Sequence, residues 1–181
     1  GMGDLSCLGN KVLRTPNIDR FYQMSTRFTD FHVSPTCAPT RSAIFSGRHE
    51  FRNGVTHTIK ERERMALSTT TFPQLLRTSG YETGIFGKWH LGTLTDNLLD
   101  SNRGGRAKGK GHYAPPWEHG FERCFSTEAK VPTWDPMRKP GTDERYGTAY
   151  WNERGQRVTD NLEGDDSRVI MDRVVPFVRD A

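Results

Sequence analysis

An α/β fold is predicted from two features of the 181 residues. Helix starts are punctuated twice by a threonine with a proline one or two residues on, in "RTPNIDRFYQMS" and "TTTFPQLLRTSG". Such a threonine can satisfy free backbone N–H groups, and proline's missing N–H would have had no partner in a first turn. Between and after these helices lie short runs rich in β-branched and aromatic residues, giving the strand–helix alternation of an α/β chain.

Taken in order, Thr15 caps a first helix opened by Pro16, with Ile18, Phe21 and Tyr22 on one face. "TRFTDFHV", residues 26–33, alternates in the manner of a strand, and Pro35 ends it. Helix resumes at Cys37, with Ile44 and Phe45 as its apolar residues. The helix of "TTTFPQLLRTSG" stops at Gly80, a C-terminal glycine. "YETGIFGK" follows as a strand, and "GFERCFST" reads as another. Residues 131–158 are turn-rich, with room for one hairpin. "EGDDSRVIMDRVVPFVRDA" closes the chain as an amphipathic helix. Asp165 and Asp166 suit its N-terminus, Val169, Ile170, Val174 and Phe177 form its buried face, and Pro176 introduces a kink.

Composition sets bounds. Hydrophobic residues make up 33% and mean hydropathy is -0.76, so long surface loops are expected around one core. A net charge of +4 is compatible with an anionic ligand without specifying one. Three cysteines, Cys7, Cys37 and Cys124, form neither a disulfide framework nor a zinc pattern. Cys7 and Cys124 either pair or stay as free thiols. No stretch approaches the roughly 18 apolar residues of a membrane span, and no signal peptide is visible.

Two stretches carry chemistry. In "CAPTRSAIFSGRH" a helix starting near Cys37 brings Arg41 onto the same face one turn on, beside free N–H groups that favour an anion. In "GYETGIFGKWHLG" an extended backbone points Lys88 and His90 to one side, pairing a cation with a proton carrier. Either stretch alone reads as an ordinary buried thiol or a surface lysine.

Together they resemble the type I, formylglycine-dependent sulfatases of the alkaline phosphatase superfamily. Cys37, Pro39, Thr40, Arg41, Ile44, Ser46, Gly47 and Arg48 match one signature of that family, and Gly80 to Gly92 match a second. "GMGDLSCLGN" with "TPNIDRF" resembles a third family segment. The resemblance implies a mostly parallel, alkaline phosphatase-like sheet flanked by helices. It further implies that residues 1–181 are a partial N-terminal catalytic domain, its first strand and C-terminal part lying outside. By the same resemblance a maturation enzyme oxidises Cys37 to formylglycine, whose hydrate is the nucleophile and one ligand of a calcium ion. The remaining calcium ligands are then expected outside the chain. Arg41 is implied to hold the hydrated aldehyde, Lys88 to contact aldehyde and sulfate, and His90 to withdraw the proton that releases sulfate. Arg48 and Thr40 are implied to be structural.

The family habit implies a sulfated small molecule or glycan as substrate, a formylglycine-generating enzyme as partner, and a periplasmic or secreted location. The basic loop of residues 102–112 is placed to rim the pocket, and Trp117 or Trp134 to stack on a sugar. Neither nucleic acid nor a membrane span is expected. The nearest alternative is a phosphonate monoester hydrolase or phosphodiesterase of the same superfamily. An RNA-binding "RGG" patch and an inactive fragment are the others.

Overall fold

The computed structural model describes residues 2–59, 62–95, 111–135, 141–144 and 148–181. It divides into two compact units, Gly1–Val33 and Ser34–Ala181. In the first, 3₁₀ turns at Met2–Asp4 and Ser6–Leu8 precede helix α1, Pro16–Met24. Thr15 is its N-cap residue as expected, but its hydroxyl donates to the Asp19 carboxylate and accepts from the Ser6 N–H rather than from an N–H of its own helix. Asp19 also accepts from the Ser6 hydroxyl, which holds its carboxyl below the ordinary range. The alternating residues 26–33 are not a strand. Alternation shapes two faces but leaves backbone N–H and C=O groups that only a neighbouring strand can pair. No described strand lies alongside, and Phe28 is 75% exposed.

In the second unit, α2 spans Cys37–Ser46, α3 Glu50–Asn53 and α4 Phe72–Thr78. Thr71 and Gln74 close α4's start as a reciprocal capping box, and Gly80 takes the left-handed conformation just after its end. Strands β1 (Gly84–Lys88) and β2 (Arg123–Thr127) pair in parallel, with Lys88 opposite Thr127. These are the two expected strands, each trimmed to its last five residues. Parallel pairing demands a crossover, which the chain supplies between Lys88 and Arg123. Two-residue strands β3 (Trp134–Asp135) and β4 (Gly164–Asp165) pair antiparallel. The anticipated hairpin is centred on an antiparallel bridge between Trp151 and Arg157.

Helix α5, Asp166–Asp180, is capped by Asp165, whose carboxylate accepts from the Ser167 N–H. It runs through Pro176. Of the four residues expected on its buried face only Val169 is fully buried, and Ile170, Val174 and Phe177 are half-buried. Helices and a small parallel sheet make this an incomplete α/β, alkaline phosphatase-like fold. All three cysteines are free thiols.

The core of this unit forms around Trp89, which is 0% exposed, with Ile85, Leu91, Leu94 and Phe121 beside it. Phe45, His119 and Phe121 ring the indole at 5.5–6.1 Å. His119 is itself 0% exposed, and neither ring nitrogen has a partner among the described residues. Burial, with Arg64 nearby, lowers it from 6.5 to about 4. Between those values the unfolded chain binds a proton that the folded chain refuses, so stability is lost as pH falls from 6.5 toward 4. The loss from this one group is roughly 3 kcal/mol at most. Urea titrations across that interval are expected to show a shallower acid-side slope in His119→Leu than in wild type.

Candidate active site

The site is built where the chain leaves β1. Trp89 N–H donates to the Thr127 carbonyl (2.9 Å) and His90 N–H to that of Glu128 (2.6 Å), so the segment stays anchored to β2 after the ladder ends. Strand geometry itself stops at Lys88, and His90 has φ +58. A left-handed φ costs about 1–3 kcal/mol for a side chain with a Cβ and persists only where surroundings impose it. The extended backbone expected to aim Lys88 and His90 alike therefore does not reach His90. Lys88 is half-exposed and His90 5% exposed, yet the lysine's charge still acts on the imidazole.

Helix α2 brings the second half. Thr36, in extended conformation, is the N-cap residue, which puts Cys37 in the first turn. The Cys37 Sγ lies 3.1 Å from His90 Nδ1, across 53 residues of sequence. The other ring nitrogen, Nε2, is 3.1 Å from the Thr58 carbonyl oxygen. A carbonyl only accepts, so Nε2 carries the proton and donates. In the neutral ring Nδ1 then holds a lone pair directed at residue 37, and the thiol donates to it. Burial, then the Lys88 charge, push His90 down from 6.5 to about 4, which keeps the ring neutral and Nδ1 free to accept at neutral pH.

Arg41 does share the site with Cys37, by a route the helix face alone did not show. Its Nε donates to the Trp89 carbonyl at 2.6 Å and a terminal N–H donates to the Lys88 carbonyl. Its guanidinium lies 5.6 Å from the Phe45 ring centre. The arginine thus staples α2 to the end of β1 and fixes the approach of Cys37 to His90. Burial lowers its proton affinity, and the neighbouring Cys37 acts in the opposite direction. Arg41 and Lys88 also line an open groove of about 510 Å³ with Phe45, Phe72 and Phe177. Cys37 and Arg41 of α2 therefore lie against the Lys88–His90 end of β1.

Other expectations divide. Residues 102–110 of the basic loop lie outside the described residues, and the loop's last residue, His112, is no rim group: it is buried against Glu63. Trp117 is half-buried against the core, with its N–H on the Tyr113 hydroxyl, whereas Trp134 is 57% exposed. Three site contributors were missed by sequence reasoning: Thr58 and Glu128, which act through carbonyls, and Glu63. A backbone carbonyl leaves no side-chain signal in a sequence, and the Glu63–His112 spacing of 49 residues matches no local period.

The described residues contain no group of three or more His, Cys, Asp or Glu side chains able to hold a metal ion. Among the described residues the charged group beside Cys37 is the Arg41 cation, the wrong sign for a hard divalent cation, which takes several carboxylate and carbonyl oxygens. No described helix is long and apolar enough to cross a membrane.

Comparison with known proteins gives the chain's family. The chain is 34% identical to human arylsulfatase D over 161 residues, 83% of this chain and 25% of that protein. Against rat steryl-sulfatase it is 33% identical over 163 residues, 82% of the chain and 25% of the relative. It thus spans about a quarter of the length of these relatives. A solved structure described with the metabolism of multiple glycosaminoglycans by Bacteroides thetaiotaomicron superposes with TM-score 0.59 and 28% identity, over 87% of this chain and 29% of that one. The family model described as Sulfatase matches residues 1–180, and the chain belongs to the sulfatase family.

Proposed function

We propose that the protein containing this chain hydrolyses sulfate esters, with residue 37 as nucleophile after oxidation of Cys37 to formylglycine. The observation that carries this is the 3.1 Å approach of Cys37 Sγ to His90 Nδ1, with Nε2 committed to the Thr58 carbonyl. A hydrated aldehyde at residue 37 supplies an oxygen nucleophile and a second hydroxyl, which a thiol lacks. His90, neutral and with its Nδ1 lone pair toward residue 37, accepts the proton of that second hydroxyl, the step that expels sulfate and restores the aldehyde. Lys88 places an ammonium where charge gathers on the sulfuryl oxygens. Arg41, held by the Lys88 and Trp89 carbonyls, keeps a second positive charge beside residue 37. Calcium is expected from the family resemblance. Since the described residues offer it no ligand set, no step is routed through it.

The proposed substrate is a sulfated carbohydrate. Support comes from the 28%-identical structure linked to glycosaminoglycan metabolism and from the exposed Trp134, whose face is open to stack on a sugar ring. Residues 1–181 are then part of a catalytic domain, maturation needs a formylglycine-generating enzyme, and the location is periplasmic or secreted.

The test is to produce the protein as its gene encodes it, together with a formylglycine-generating enzyme. Inorganic sulfate released from aryl and glycan sulfates is measured alongside the mass of the peptide holding residue 37. Sulfate release with an aldehyde at residue 37 supports the reading, and release with an unmodified thiol would sink the nucleophile assignment. Faster cleavage of phosphonate monoesters than of any sulfate would select the phosphonate hydrolase.

A further inference from the structure

Glu63 and His112 lie outside the chemistry above, yet both are almost wholly buried, at 6% and 5% exposure. His112 Nε2 donates to Glu63 Oε1 at 2.8 Å. Burial pushes the Glu63 carboxyl up, but the His112 hydrogen bond and charge bring it net below its ordinary range, so the carboxylate is ionised at neutral pH. Its second oxygen, Oε2, has no partner among the described residues. A buried, half-satisfied polar pair is a poor stabiliser, and an apolar pair of similar volume commonly serves stability as well or better.

What the pair does connect is specific. Glu63 follows Arg62, whose carbonyl accepts from the Thr56 and His57 N–H groups at 3.1 and 3.5 Å. Thr58, next in line, presents the carbonyl that holds the His90 ring. Two residues after Glu63, the Met65 N–H donates to the Leu91 carbonyl at 3.0 Å. From the other side, the His112 carbonyl accepts from Thr93 N–H at 3.0 Å, and Ala114 N–H donates to the Thr93 carbonyl at 3.1 Å. Gly92 sits between these attachments at φ +131, and a Cβ there would fall 2.7 Å from that of Ala114. Two segments distant in sequence therefore clasp residues 90–93, and the Glu63–His112 bond joins the two arms of the clasp.

We propose that the buried Glu63–His112 pair is a positioning device that locks both arms around residues 90–93, and so holds the left-handed His90 with its Nε2 on Thr58 and its Nδ1 on residue 37. This deepens the proposed function and rests on its assignment of His90. The pair makes no described hydrogen bond to residue 37; it acts through the arms, and the Glu63 charge adds a smaller direct pull that raises the proton affinity of His90. His90's conformation is unfavourable by itself, and the two arms are what over-determine it.

The decisive variant is the apolar replacement Glu63→Leu with His112→Phe, made in the protein as its gene encodes it. Its melting temperature is expected to stay within a few degrees of wild type. The slowly exchanging His90 Nε2–H proton signal should broaden or vanish, and kcat should fall roughly 10- to 100-fold with KM within about twofold, as expected for a displaced proton acceptor. Glu63→Gln, whose carbonyl oxygen still accepts from His112, should restore both the signal and kcat. A double variant that keeps the Nε2–H signal and full kcat per folded molecule would overturn the proposal, whether or not its melting temperature falls. Should the wild-type protein release no sulfate, the functional reading fails, while the Nε2–H signal still decides whether the pair fixes the ring.

Discussion

Cys37→Ala is expected to abolish sulfate release, by at least about 10,000-fold in kcat, the scale of removing a catalytic nucleophile. The fold should survive, because Cys37 is half-buried and its side chain's one described hydrogen bond is to His90. His90→Ala serves as the internal comparison. It leaves the nucleophile and removes the proton acceptor, a contribution of about 100- to 10,000-fold. Initial rates with saturating aryl sulfate, beside circular dichroism on the same samples, separate chemistry from unfolding. If Cys37→Ala retains more than a few per cent of wild-type rate with normal binding, residue 37 is not the nucleophile. If His90→Ala is silent, the 3.1 Å approach of its Nδ1 to residue 37 has no catalytic meaning.

Trp89→Ala should be the most destabilising single change in the second unit. The indole is 0% exposed, its N–H donates to the Ala114 carbonyl at 2.7 Å, and three rings pack around it. Truncation leaves a cavity and orphans a buried carbonyl, for a loss of about 3–5 kcal/mol. Trp89→Phe keeps an aromatic ring and drops only the N–H and part of the volume, so its cost should be about 1–3 kcal/mol. Urea denaturation followed by circular dichroism measures both. Trp89 stands between Lys88 and His90, and its backbone carbonyl receives Arg41, so activity should be lost along with stability. A Trp89→Ala protein as stable as wild type would mean that the packing around the indole is not the organising contact of this unit.

Much of the site was legible because its chemistry is written in contiguous runs. "CAPTRSAIFSGR" and "GKWHLG" name Cys37, Arg41, Lys88 and His90 directly, and local rules give each a setting. Proline and a cap residue start a helix, and glycines allow the tight backbone after a strand. The helices α1, α2, α4 and α5 and the strands β1 and β2 followed for the same reason, since each depends on residues within one or two turns of itself. Residues 26–33 show where such reasoning stops. Their alternation describes a strand's faces, but a strand exists only when another strand takes up its N–H and C=O groups, and a pattern of side chains does not contain that partner.

Within the site, the same limit separates residue identity from residue geometry. The sequence by itself determined which groups can react: a thiol, a guanidinium, an ammonium and an imidazole, in two motifs of the sulfatase family. Only the tertiary structure decided their states. Contact of Thr58 with His90 chose which ring nitrogen carries the proton. Burial and the Lys88 charge hold that ring neutral. The Lys88 and Trp89 carbonyls turned Arg41 into a staple. Glu63 and His112, 49 residues apart, became one buried pair. Proton position, charge state and orientation depend on distance and on exclusion of water, and both arise only when segments remote in the chain are packed together.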